Sequence, residues 1–98
     1  MAISTPRIPL VLTISAGVAP PVTINASGTV TRTVFDGPDG AIYSWLVFDT
    51  FGKPVNGRQN QVGDKIITEE WPVQPGFTME IPVSDTNGTM EIILWLKA

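Results

Sequence analysis

Carboxylates are the main groups with which this chain could do chemistry. It contains nine Asp and Glu but no His and no Cys. Without imidazole there is no ordinary general base at neutral pH and no common transition-metal ligand, and without a thiol there is no thiolate nucleophile. Glu69 and Glu70 are adjacent, and in an extended strand neighbours point to opposite faces. An acid/base pair needs both groups on one cleft, so this spacing is wrong for it. Asp36 and Asp39 bracket the turn "DGPDG" and could offer a hard cation two carboxylates. Calcium wants roughly six to eight oxygens, which leaves that site short. "GPDG" also lacks the strand–loop–helix setting of a phosphate cradle. The expectation is a non-enzymatic protein with no cofactor and no metal site.

Charge removes further classes. Six Lys and Arg give a net charge of −3, and Arg7, Arg32, Lys53, Arg58, Lys65 and Lys97 stand singly along the chain. A nucleic-acid binder needs a basic stripe, so no nucleic acid is expected as partner. No run approaches the ~20 apolar residues of a membrane span, and no membrane partner is expected. The opening "MAISTPRIPLVLTISAGVA" has the outline of a signal peptide. Pro9 and Thr13 interrupt its apolar run and Pro20 would follow the cut, so no cleaved signal peptide is expected. Two glycosylation sequons, Asn25-Ala26-Ser27 and Asn87-Gly88-Thr89, occur, and turn chemistry accounts for the second.

The elements that must position these residues read as strands. Nine Gly and nine Pro in 98 residues suit short strands and tight turns. "RIPLVLTIS" (7–15) alternates with Ile8, Leu10, Leu12 and Ile14 on one face. "GTVTRTVF" (28–35) places Val30 and Val34 together against three Thr. "AIYSWLVFD" (41–49) is apolar on both faces, as a central strand is, with Trp45 sharing the core face of Tyr43 and Val47. With 21–25, 64–71, 77–84 and the last strand this gives about seven strands. The economical arrangement is an all-β, antiparallel two-sheet sandwich, Ig-like or jelly-roll-like, with a small β-barrel as the alternative. Residues 10–98 form one domain, and 1–9, carrying Pro6 and Pro9, form an extended N-terminal arm. The polar, Gly-punctuated segment 50–63 reads as a long loop, or as a hairpin around Asn56-Gly57.

The C-terminal stretch "MEIPVSDTNGTMEIILWLKA" carries the functional lead. Asn87-Gly88 suits a type I′ turn, which would pair Val83 with Ile92, Ile81 with Leu94 and Met79 with Leu96 on the core face. The opposite face would then join Pro82, Ile93 and Trp95, an apolar cluster flanked by Glu80 and Lys97. Pro82 cannot donate to a ladder, so its strand should be an edge or bulged there. The interface expected from sequence comprises Trp95, Ile93 and Pro82, with Arg7 and Pro9 from the arm and Lys53 and Arg58 from the 50–63 segment. The expected partners are other protein subunits, capsid or same-chain copies, in a homo-oligomer. The function expected is that of a structural subunit in a larger assembly: a decoration or cement protein of a bacteriophage or virus particle, located in the virion. The alternative is an Ig-like binding or inhibitory module, cytoplasmic, that uses loop 50–63.

Overall fold

The computed structural model describes residues 7–97, which form nine strands and no helix. These are β1 (Arg7–Ile14), β2 (Ala19–Ile24), β3 (Gly28–Asp36), β4 (Ile42–Phe48), β5 (Pro54–Val62), β6 (Lys65–Ile67), β7 (Trp71–Val73), β8 (Phe77–Ser84) and β9 (Gly88–Lys97). All pairings are antiparallel and build two packed sheets, one ordered β1-β9-β3-β6 with β7 also on β3, the other β2-β8-β4-β5. The fold is therefore the two-sheet sandwich expected, not a closed barrel.

The topology is a wound ribbon. Five pairings follow from folding the chain back on itself: β1 with β9, β2 with β8, β3 with both β6 and β7, and β4 with β5. Rolling that ribbon brings β3 onto β9 and β4 onto β8, which closes the two sheets. This is the jelly-roll winding, and it selects that alternative over the Ig-like one. Between the sheets lies a single core, with Leu12, Phe35, Tyr43, Trp45, Ile81 and Leu94 among its buried side chains. Trp45 stacks obliquely on Phe35 with ring centroids 5.1 Å apart, within the range of favourable aromatic pairs.

The winding overturns the C-terminal hairpin. β8 and β9 lie in different sheets and do not pair with each other. A type I′ turn needs positive φ at both central residues. Asn87 does not have it, and Gly88 sits at φ 141°. The turn with that geometry is instead Ala16-Gly17, φ 54° and 78°, between β1 and β2, closed by the Ser15–Val18 bridge. Asn87 serves it from outside: its Oδ1 accepts the Gly17 N–H at 2.9 Å. Alternation along each strand remains informative. Met79, Ile81, Ile92, Leu94 and Leu96 are all buried, though from opposite sheets.

Bulges account for the other departures. β8 is not an edge, but the β4–β8 register shifts between the pairs Ser44–Val83 and Leu46–Glu80, so that Ile81 and Pro82 share Trp45. Past that point the faces exchange: Val83 is 56% exposed and Ser84 is buried, so Val83 is not core. On β3 the extra residue is Thr31, between the pairs Val30–Leu96 and Arg32–Trp95. Val30 and Phe35 therefore point inward, while Arg32 and Val34 point outward, separating the two valines. The 50–63 segment is not a long loop. Its turn spans 49–53, where Asp49 Oδ1 accepts the N–H groups of Phe51 and Lys53, and β5 follows. Asn56-Gly57 lies within β5. A Cβ on Gly57 would meet the Trp45 carbonyl at 2.7 Å, so glycine permits the close approach of β5 to β4. The boundary drawn after residue 9 falls inside β1, where Arg7, Ile8 and Pro9 pair with Trp95, Leu94 and Ile93. Residues 1–6 of the expected arm lie outside the described residues.

Candidate contact surface

The outer face of the five-stranded sheet is organised in rows across the strands. In one row Trp95 of β9 pairs with Arg7 of β1 on one side and Arg32 of β3 on the other. Both guanidinium groups lie over the indole, 5.1 Å and 5.3 Å from the ring centroid. A cation over an indole face is held by the ring quadrupole. Trp95 is thus half-buried between two arginines. Glu80 and Lys97 do not form its cover: Glu80 lies in the other sheet, and Lys97 reaches Glu70 at 3.1 Å.

The next row is apolar across four strands. Pro9 of β1 pairs with Ile93 of β9, Ile93 with Val34 of β3, and Val34 with Ile66 of β6. Ile93 and Val34 are half-buried, Pro9 is exposed, and Ile66 is 66% exposed. The third row is acidic on β9 and β3 and apolar on β1, where the exposed Val11 pairs with Glu91. Glu91 of β9 pairs with Asp36 of β3, two exposed carboxylates directly opposite each other. Like charges so placed repel. Among the described residues, none of Arg7, Arg32, Asp36 or Glu91 enters an ion pair, so the face presents one cationic edge and one anionic edge.

Four of the sequence-derived residues meet here: Trp95, Ile93, Arg7 and Pro9. Three do not. Pro82 is exposed on the outer face of the four-stranded sheet, beside Val83 and a shallow groove of about 490 Å³ that also borders Leu46 and Gly57. Lys53 sits in the β4–β5 turn. Arg58 is committed to Glu69, whose carboxylate also accepts from Asn56 at 3.1 Å. Slight burial raises the Glu69 pKa, and the hydrogen bonds from Asn56 and Arg58 with the Arg58 charge outweigh it, leaving it below the usual value.

Sequence reasoning missed Arg32, Val34 and Ile66. A signal existed for the first two. Val30 and Phe35 are five residues apart, an odd spacing that both can bury only if a bulge lies between them. Phe51, at the tip of the 49–53 turn, is 88% exposed and was not singled out within the segment 50–63. Comparison with protein families, curated proteins and solved structures gives no match.

Beneath the other sheet the chemistry is structural. The Trp45 Nε1–H donates to Gln61 Oε1 at 3.1 Å, Gln61 Nε2 donates to Tyr43 Oη at 2.8 Å, and the Tyr43 hydroxyl donates to the Gly63 carbonyl at 2.8 Å. Burial pushes the Tyr43 phenol up, its bond to Gln61 opposes this, and the Asp64 charge adds to the rise. This chain of bonds satisfies buried polar groups and fastens β5 to β4.

Proposed function

We propose that this protein is a structural subunit of a larger assembly that works through protein–protein contact, and that the assembly is a phage or virus particle which it decorates or cements. The observation that carries this reading is the outer face of the five-stranded sheet. An apolar row spans four strands there, beside a Trp held between two arginines. Trp and Arg are the residues enriched at the energetic centre of protein interfaces, and apolar surface gathered into one patch marks contact sites more often than scattered residues do. The jelly-roll winding agrees with the particle setting, since viral capsid domains are among those that use it. Compact subunits repeated on a symmetric shell can hold by avidity where a single contact would be weak.

Gradient sedimentation of particles from the producing source tests the reading. The chain should travel with the particles at a fixed ratio to the other shell proteins. A Trp95→Glu chain should remain at the top of the gradient while melting at the wild-type temperature. Wild-type chain found wholly in the soluble fractions would reject the particle role.

A further inference from the structure

The three rows are ordered by charge. Along β3 the outward residues run Arg32, Val34, Asp36; along β9 they run Trp95, Ile93, Glu91. The cationic row therefore lies on one side of the apolar row and the anionic row on the other, each one outward position away. Place a second copy face to face, related by a twofold axis that runs along the apolar row. The axis turns the partner over and reverses its strand direction. Each apolar residue then meets its own equivalent, the cationic row meets the partner's anionic row, and the anionic row meets the partner's cationic row. A twofold along the strands would instead set arginine against arginine.

We propose that this face pairs with the same face of a second copy, through a twofold axis along the Pro9–Ile93–Val34–Ile66 row, with Arg32 of each copy opposite Asp36 of the other. The proposal deepens the reading above and rests on it, since it takes the same face as a protein contact and names the occupant. Charge complementarity is what selects a second copy. Four charged side chains on this face lack an ion-pair partner among the described residues, and one symmetry operation sets Arg32 opposite Asp36 in register, places Glu91 over Trp95 and its two flanking arginines, and leaves Arg7 opposite Val11. It also relieves the side-by-side Asp36 and Glu91, whose repulsion the single chain does not compensate. The size fits as well. The molecule measures 44 × 30 × 19 Å, and its broad sides exceed the roughly 800 Å² per partner that a standard interface takes. The contact is isologous and closes, so it forms dimers and no filaments.

Sedimentation of the full chain tests this with two charge reversals. Arg32→Glu alone sets a new carboxylate against Asp36 in each half of the interface, and Asp36→Lys alone sets a new cation against Arg32. Each variant should self-associate more than about tenfold more weakly than wild type, because like charges across an interface are strongly unfavourable. An equimolar mixture of the two should recover the dimer. In the mixed pair the introduced carboxylate of one chain faces the introduced ammonium of the other, while the second contact keeps its native Asp36 and Arg32. A mixture no more associated than its components overturns the geometry. The wild-type chain gives a second measurement that needs no folded variant: its dimer should weaken steeply as salt rises, and a salt-independent dimer overturns the charge argument. A wild-type chain that stays monomeric at every concentration overturns self-pairing. It leaves the structural-subunit reading intact, because particle co-sedimentation decides that separately.

Discussion

Trp45 and Trp95 occupy similar sequence settings, each within a strand of aliphatic residues, and end in opposite circumstances. Trp45 is fully buried, its indole N–H satisfied by Gln61 and its ring set against Phe35. Trp95 keeps part of its surface in water and is flanked by two arginines that no carboxylate neutralises among the described residues. The first is used up by the fold. The second is held in a defined orientation without being consumed, which is what a contact residue requires. A tryptophan's role is thus set by what lies above its strand and not by its neighbours in the chain.

The widest separation between the two should come from truncation. Trp45→Ala should cost about 3–5 kcal/mol through lost burial and a cavity, enough to unfold much of a domain this small. Leu94→Ala, in the core from the other sheet, should cost about 2–5 kcal/mol. Denaturant titration reads both, and a midpoint within error of wild type would remove either residue from the core. Gln61→Leu comes next. It leaves the Trp45 N–H without an acceptor and takes one bond from Tyr43, an expected loss of about 1–3 kcal/mol. A neutral result would mean that water replaces the amide.

The same interior predicts an alkaline limit. The Tyr43 phenol has a folded pKa above its usual value, chiefly because burial disfavours the phenolate. The folded state binds this proton more tightly, so the contribution is fully present below the unfolded value near 10 and is lost as pH rises through the folded value. Melting temperature should therefore fall above about pH 10, and Tyr43→Phe should flatten that limb. Asp85 acts at the other end. The Ile42 N–H and the Thr86 hydroxyl hold its carboxyl below the usual range, so its contribution is present above the unfolded value and fades as pH falls through the folded one. The smallest effect on the fold is expected at the second tryptophan. Trp95→Glu should shift stability by less than about 1 kcal/mol, since the site is a strand face open to solvent. A loss as large as that of Trp45→Ala would make Trp95 a core residue and erase the contrast.

Period-two alternation carries the sequence reading wherever a strand is regular. Leu10, Leu12 and Ile14, the pair Tyr43 and Trp45, and the alternate residues Ile92, Leu94 and Leu96 are buried as their spacing indicates. It fails at Thr31, Pro82 and Asn60, where one inserted residue reverses the faces. Pro82 announces its bulge by lacking a donor; Thr31 leaves only the odd spacing of Val30 and Phe35. β5 is invisible in the pattern because "PVNGRQNQV" is an edge strand whose polar side chains bind Glu69, Tyr43 and Trp45. Strand pairing lies beyond local pattern altogether. "TNG" is good hairpin chemistry, but in a wound ribbon β8 and β9 each have better partners in separate sheets. Trp95, Ile93, Arg7 and Pro9 are therefore legible without their true surroundings, and Arg32 only through the odd spacing that marks the bulge before it.

A single engineered thiol tests the central claim, that this face meets its own copy about a twofold axis. The chain has no cysteine, so Ile93→Cys introduces a unique one on the apolar row, and Val83→Cys supplies a control on the opposite sheet. Facing sheets pack about 10 Å apart, too far for a direct disulfide but within reach of a short bifunctional maleimide. Rapid covalent dimer formation is predicted for Ile93→Cys, falling as salt rises, with Val83→Cys remaining monomeric under the same conditions. Equal yields from the two sites, or none from Ile93→Cys, would contradict the account.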